Sequence, residues 1–293
     1  MSSPVLAVDL GATNLRCALV SDSGVILSRA AQPTPLNDDC AAALVALAQK
    51  VRSGTSVERC VVGIPGRIDY RRGAMEYGRN LPESWVESMT ERLLSRDIGV
   101  PVSVAQDADL AAVGEAYFGA GSSFQDVVYI TISTGMGAGV LLGRRLVHGR
   151  RSGLEIGLTW TGSAAGDSGL GLPLEDYTSG RAVARSAAER GLPADPVALV
   201  ELVRAGDPVA TGFWARFAAV GALAAVNLAH VFSPEVIVIG GGISQVGDLL
   251  LDPIRRAVAA YGPQGFPCTI EVRPSALGDD SGLAGAAAWA TAF

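Results

Sequence analysis

The chain has 293 residues, 49% of them apolar and 18% charged, enough for a sizeable core in one large or two ordinary domains and too apolar for a disordered chain. The net charge of −6, without a long basic run or aromatics interleaved with Lys and Arg, argues against nucleic-acid binding. Cys17, Cys40, Cys60 and Cys268 are scattered with no C-x-C or C-x-x-C pair, which argues against a disulfide framework and against structural zinc.

No basic segment followed by an apolar run opens the chain, so no signal peptide is read and a cytoplasmic protein is expected. Residues 5–8 form an apolar run that predicts a strand, followed by the turn Asp9-Leu10-Gly11-Ala12-Thr13-Asn14 and a second apolar run at 15–20. Ser21-Asp22-Ser23-Gly24 predicts a hairpin turn, giving two or three strands within 4–30. Residues 39–52 have helical spacing with Asp38 or Asp39 as cap, and 61–64 read as a buried strand closed by Pro65-Gly66. An amphipathic helix is predicted over 84–96. A short strand at 102–105 then delivers Gln106-Asp107-Ala108-Asp109, with a helix running on to about 118.

A similar plan restarts at 127–133, a strand that ends in Ser133-Thr134-Gly135-Met136-Gly137-Ala138-Gly139 and returns as a strand at 140–142. The two strand–turn–strand units lie some 120 residues apart, a repeat of layout rather than of residue identity. A helical stretch from about 175 to 232 includes the apolar run 217–232, read as a buried core helix too short to span a bilayer, with His230 a core residue. A strand at 236–239 leads to Gly240-Gly241-Gly242. The tail carries Gly278-Asp279-Asp280-Ser281-Gly282 and then an Ala-rich helix to 293. Strands alternating with helices predict an α/β protein with a mixed sheet covered by helices.

Gly11 lets the backbone pass close to a ligand, and the N–H groups and small polar side chains of its turn can face a phosphate. The Asp9 carboxylate would repel phosphate directly, so it suits a hydrated magnesium ion beside it; a hairpin with a buried Asp is the alternative. Gly240 to Gly242, after a strand and before a helix, would let an adenosine approach the backbone. None of these turns is a Walker A motif or a G-x-G-x-x-G dinucleotide motif. Two glycine turns facing each other across a cleft can hold a nucleotide's phosphates from both sides.

Asp9-Leu10-Gly11-Ala12-Thr13-Asn14, Ser133-Thr134-Gly135-Met136-Gly137-Ala138-Gly139 and Gly240-Gly241-Gly242 resemble the two phosphate motifs and the adenosine motif of sugar kinases with the actin-like ATPase (ribonuclease H-like) fold. More narrowly, the chain resembles the ROK family (repressors, open reading frames, kinases). Gly63-Ile64-Pro65-Gly66, Asn80-Leu81-Pro82 with Trp85, Glu155-Ile156-Gly157, Glu175 before Ser179-Gly180, and Leu277-Gly278-Asp279-Asp280-Ser281-Gly282 fit it in the family's order over nearly the whole length. The resemblance implies two lobes, each a mixed sheet flanked by helices: 1–117 joined by the helix at about 281–293, and 118–280 carrying the second phosphate and adenosine motifs.

By the same resemblance Asp107 falls at the catalytic base, where a carboxylate at a strand end accepts the sugar hydroxyl proton as oxygen attacks the γ-phosphorus; a helix cap is the alternative. Asp109 reads as a cap or a surface residue. Asp9, Gly11, Thr13, Asn14, Thr134, Gly135, Gly240, Gly241 and Gly242 are implied on the nucleotide side, with Asp9 organising Mg2+ through water. Gly66, Asn80, Gln106, Asp107, Glu155 and Glu175 are implied on the sugar side, where carboxylates and amides suit adjacent hydroxyls and reject a wrong sugar by leaving polar groups unpaired. A solvated helix-start glutamate is the rival reading of Glu175.

Three positions depart from the family. Leu158 replaces the histidine that follows Glu-x-Gly, Gln106 replaces an Asn beside the base, and 161–169 lacks the zinc-binding cysteines, so no structural zinc is expected. His148 reads as structural, and Arg144, Arg145, Arg150 and Arg151 as a solvated loop with phosphate contact as the alternative. The expected function is ATP-dependent phosphorylation of the 6-hydroxyl of a glucose-like hexose or amino sugar such as kanosamine, by a homodimer that engages neither nucleic acid nor membrane, with polyphosphate as an alternative donor. A sugar-sensing regulator is disfavoured because Asp9 is reached within nine residues, before any helix-turn-helix. A catalytically silent paralogue is disfavoured by the intact Asp9, Thr13, Asp107 and Thr134.

Overall fold

The computed structural model describes residues 3–78, 81–133, 135–152, 154–160, 171–178, 180–264 and 269–292. The chain divides into two compact units, one formed by Met1–Ser123, Gly139–Gly153 and Ala276–Phe293, the other by Phe124–Ala138 and Leu154–Ser275.

The first unit begins with the meander β1 (Val5–Leu10), β2 (Asn14–Val20) and β3 (Ile26–Pro33), followed by α1 (Cys40–Arg52) and β4 (Cys60–Ile64). A hairpin of β5 (Arg67–Asp69) and β6 (Ala74–Tyr77) follows, then α2 (Ser84–Ser88), α3 (Glu91–Ile98), β7 (Val102–Gln106) and α4 (Asp107–Phe118). Its sheet runs β3-β2-β1-β4-β7, with β1, β4 and β7 parallel. β1 and β4 are apolar and buried almost throughout, as parallel strands covered on both faces must be. β3, at one edge, exposes Leu27, Ser28 and Arg29 and ends in Pro33, and the charge and the proline discourage further pairing. At the other edge, the outward N–H groups of β7 are met by side chains: Val102 N donates to Ser95 Oγ at 2.9 Å, Val104 N to Glu91 Oε1 at 3.0 Å and Gln106 N to Tyr70 Oη at 3.2 Å.

The helix predicted over 84–96 is two helices. Thr90 between them is extended, and its Oγ1 accepts from Leu93 N at 3.2 Å as the cap of α3. Met89, just before it, is fully buried in the core with Trp85 and Leu94. The β5–β6 hairpin has no counterpart in the predicted elements.

The later elements are β8 (Val127–Ile132), β9 (Met136–Leu142), β10 (Arg145–Leu146), α5 (Glu175–Thr178), α6 (Gly180–Ala188), α7 (Pro196–Arg204), α8 (Pro208–Phe232), β11 (Val236–Gly240), α9 (Asp248–Tyr261), β12 (Glu271–Pro274) and α10 (Ser281–Ala292). The second sheet runs β10-β9-β8-β11-β12, with β8, β11 and β12 parallel. Both sheets thus follow one plan, a consecutive three-strand run and then two later strands parallel to its first member. α8 spans 25 residues rather than the predicted 217–232, because Asp207 caps it (Ala210 N to Oδ1, 2.8 Å) and Pro208 starts it. It buries Trp214, Phe217, Leu228 and a run of alanines, and is the one helix among the described residues long and apolar enough to cross a membrane. His230 is not a core residue: it is exposed, with Nε2 2.8 Å from the Tyr261 carbonyl.

Candidate active site

In the first unit the strand register collects the acidic candidates. Asp9 on β1 lies opposite Gly63 on β4, and Gly63 lies opposite Ala105 on β7, so Asp107 stands two residues beyond the same row. These are the carboxyl ends of parallel strands, where α/β sheets bind ligands. Gly63 keeps the row open, since a Cβ there would sit 3.0 Å from Leu110 Cδ1 and 3.7 Å from Asp107 Cα. Asp107 is half-buried and opens α4, with Gln106 in the cap position making no side-chain cap bond. Asp107 Oδ1 accepts from Ala108 N at 2.8 Å, and its charge sits where the helix dipole favours it.

The turn after β1 is closed by Gly11 N donating to the Asn14 carbonyl at 2.9 Å and held by Thr34, just past β3, whose Oγ1 donates to the Gly11 carbonyl at 2.7 Å and whose N donates to the Thr13 carbonyl at 3.0 Å. Thr13 and Asn14 are left exposed. Arg16 lies directly across β2 from Asp9 and donates through one nitrogen to Asp9 Oδ2 and through the other to Asp279 Oδ2, each at 3.2 Å. Burial pushes the Asp9 carboxyl above its ordinary range, Arg16 pulls it back, and Asp279 and Asp280 push it up again.

Gly66 has φ of 96° at the entry to the hairpin, where a Cβ would stand 2.4 Å from the Tyr77 carbonyl, so only glycine fits. Asp69 is buried and accepts from Arg71 N, Arg72 N and Arg150, whose guanidinium holds its carboxyl below the usual range. Arg151 pairs with Glu76, and Arg144 lies over the Tyr117 ring, so three of the four loop arginines have structural partners. Asp109 is neither a cap nor a surface residue: it is fully buried and accepts the Tyr70 hydroxyl at 2.6 Å. Its helix-start position suggested a cap, and nothing in the local sequence reveals Tyr70, which arrives from 39 residues upstream. Gln106 is 4% exposed. His148 stacks edge-on against Tyr70 at 4.8 Å, with Nδ1 2.7 Å from the Gly149 carbonyl.

In the second unit, Gly240 lies opposite Thr131, which brings the ends of β11 and β8 together. Gly241 has φ of 84°, and a Cβ there would meet the Ile132 carbonyl at 2.4 Å and Thr131 Oγ1 at 2.7 Å. Gly242 opens on empty space. Glu155 precedes a short turn in which Leu158 N donates to its carbonyl at 2.9 Å. The following segment meets α5 through Leu174 N and the Thr159 carbonyl, also at 2.9 Å. Glu175 Oε2 lies 3.4 Å from where Gly135 would carry a Cβ and 3.2 Å from that of Gly157, so two glycines make room for its carboxylate. Glu175 is thereby packed, half-buried, against the turn at Gly135 rather than left as a solvated helix start. Asn80, Thr134 and the 161–169 segment on which the expected absence of zinc rests lie outside the described residues.

Two sheets of the same five-strand plan, each flanked by helices, define the actin-like ATPase fold. The ROK family model matches residues 5–292. A glucokinase of Thermotoga maritima is 31% identical over 97% of this chain and 96% of its own length. The bifunctional enzyme NanE/NanK of Brucella melitensis is 33% identical over 100% of this chain, which covers 55% of that protein. A ROK family glucokinase from Streptomyces griseus, solved with glucose and AMPPNP, superimposes with a TM-score of 0.84 at 31% identity over 98% of both chains. The chain belongs to the ROK family.

Proposed function

We propose that this chain is a sugar kinase that transfers the γ-phosphoryl group of ATP to the 6-hydroxyl of a glucose-like hexose or amino sugar, with Asp107 as general base. The observation that carries the reading is the row Asp9–Gly63–Ala105, which brings Asp9 and Asp107 to the carboxyl ends of the three parallel strands of one mixed sheet, where the first would organise magnesium and the second accept the proton. The glucokinase and NanE/NanK relatives, each 30% identical or more over nearly the whole chain, support the reaction class.

The sugar O6 attacks the γ-phosphorus, the bond from phosphorus to the ADP oxygen breaks, and the hydroxyl proton passes to the Asp107 carboxylate. The Ala108 N–H on Oδ1 holds that carboxylate in one orientation at the helix start. Gly66, Asn80, Gln106, Glu155 and Glu175 bind and orient the sugar. Thr13, Asn14, Thr134 and Gly135 hold phosphate oxygens, with Gly11 and Gly240 to Gly242 letting the nucleotide approach the backbone. Asp9 fits magnesium: it offers a carboxylate at a strand end, 16% exposed, and this ion keeps most of its water and takes one or two carboxylates with phosphate oxygens. When bound there, the ion neutralises charge on the phosphates. Leu158, apolar and half-buried two residues after Ile156, removes a polar contact from the sugar side and favours a substrate other than plain glucose, such as a 3-amino sugar. A homodimeric, cytoplasmic enzyme goes with the family.

The test is ADP release across glucose, mannose, glucosamine and kanosamine, with ATP or polyphosphate as donor, in wild type and Asp107→Asn. The variant is expected to bind nucleotide but to lose at least about 100-fold in kcat. Wild-type turnover in that variant overturns the base assignment. No ADP from any sugar favours a sugar-binding protein.

A further inference from the structure

We propose that Tyr70 and Asp109 form a buried positioning pair for the Asp107 base; the proposal rests on the kinase reading above. The Tyr70 hydroxyl has one proton, which goes to Asp109 Oδ2 at 2.6 Å, and its lone pair accepts from Gln106 N at 3.2 Å. One phenol oxygen therefore ties the backbone just before Asp107 to the side chain two residues after it. Gln106 N is the last of the outward N–H groups on the free edge of β7, and the other two are met by Ser95 and Glu91. Tyr70 does the same work at the end where Asp107 stands.

The phenol is itself fixed on every side. Asp69 next to it accepts from Arg71 N and Arg72 N at 3.0 and 3.1 Å, closing the hairpin turn, while Tyr70 N donates to the Arg150 carbonyl at 3.2 Å. The ring packs against His148 at 4.8 Å and Trp289 at 5.7 Å. Burial, and then the Asp109 charge, push the phenol far above its ordinary range, so the proton stays on it throughout the pH range of turnover. The hairpin, α10 and the β7–α4 junction thus converge on one tyrosine, and the orientation of Asp107 depends on the junction its hydroxyl holds.

The experiment measures kcat and both KM values in Tyr70→Phe, Asp109→Asn, Asp109→Leu, Asp107→Asn and Leu94→Ala, on the hexose that turns over fastest. Leu94 is a buried core residue on α3 and serves as the stability control. Tyr70→Phe keeps the ring and loses the hydroxyl, so kcat is expected to fall about 10-fold or more with both KM values within about 2-fold. Asp109→Leu is expected to do the same, and is the variant to read where Tyr70→Phe does not fold. Asp109→Asn keeps an oxygen for the phenol and is expected to retain kcat within about 3-fold. Wild-type kcat in Tyr70→Phe overturns the proposal, as does a Leu94→Ala enzyme of equal melting temperature that loses kcat equally. An active Asp107→Asn overturns the base assignment and this proposal together. An inactive one beside a fully active Tyr70→Phe overturns this proposal alone.

Discussion

Glu115→Gln is expected to lower the stability of the first unit by about 2–3 kcal/mol. Glu115 is fully buried near the end of α4, and its two oxygens accept from backbone and hydroxyl donors on two segments of the chain. Oε2 accepts from Ala120 N at 2.9 Å and Ala276 N at 3.1 Å, and Oε1 from Leu277 N at 3.0 Å and the Ser281 hydroxyl at 2.8 Å. The carboxamide cannot accept at both ends. Its better orientation puts the NH2 in place of Oε1, because the Ser281 hydroxyl can turn to the Gly278 carbonyl, also at 2.8 Å, and accept from the amide. That leaves the half-buried Leu277 N–H without its acceptor, at about 1–2 kcal/mol, and removes the charge from the bonds to Ala120 and Ala276, at about 1 kcal/mol more. At about 2 °C per kcal/mol for a chain of this size, the melting temperature should fall by about 5 °C, read by circular dichroism and by urea titration. Asp107 lies at the opposite end of α4, so kcat measured well below the transition should stay near wild type. A melting temperature within about 1 °C of wild type would refute the hydrogen-bond accounting.

Gly241→Ala should raise the KM for ATP and lower the melting temperature, because its φ of 84° and the 2.4 Å approach to the Ile132 carbonyl leave no place for a methyl group; kinetics and melting identical to wild type would contradict the close approach. Asp69, depressed by Arg150, adds stability that is present above its ordinary value of 3.8 and is lost as pH falls through its lower native value. The stability gap between wild type and Asp69→Asn, followed by denaturant titration, should therefore be constant at neutral pH and shrink on acidification. Burial pushes the Cys17 and Cys40 thiols up to about 12 and Cys60 well above 9.0, so none of the three should be alkylated by iodoacetamide in the native protein at pH 8 when peptides are mapped by mass spectrometry.

The turn at Asp9 to Asn14 and the junction at Gln106-Asp107 were legible because buried parallel strands are apolar runs that stop abruptly at their functional ends. The shared layout of the two sheets was legible for the same reason. What local pattern does not contain is a partner from elsewhere in the chain. Asp109 reads as a helix-start carboxylate until Tyr70 is brought to it, and the rival reading of Glu175 as a solvated residue gives way only when Gly135 and Gly157 are seen to leave room for it. Arg16 is an intermediate case: a hairpin that turns at Gly11 puts it opposite Asp9, a register that follows once both strands are recognised. The break at Thr90 was missed because the apolar spacing of 84–96 continues across it, and only the side-chain cap marks the restart.

The packing of α10 against α4 carries a consequence for how the chain is made. A Cβ at Gly285 would stand 1.9 Å from the Leu110 carbonyl and one at Gly114 2.0 Å from the Ser281 carbonyl, so the two backbones touch where both helices are buried nearly all round. In sequence order, however, α10 follows the whole of the second unit. While the ribosome is still adding that unit, α4 has been synthesised and lacks its partner, and the donors gathered on Glu115 are incomplete. The unit that holds Asp9 and Asp107 therefore cannot mature in the order of its synthesis. The face of α4 that packs on α10 has its partner only once the second unit has been read out and residues 276–292 emerge.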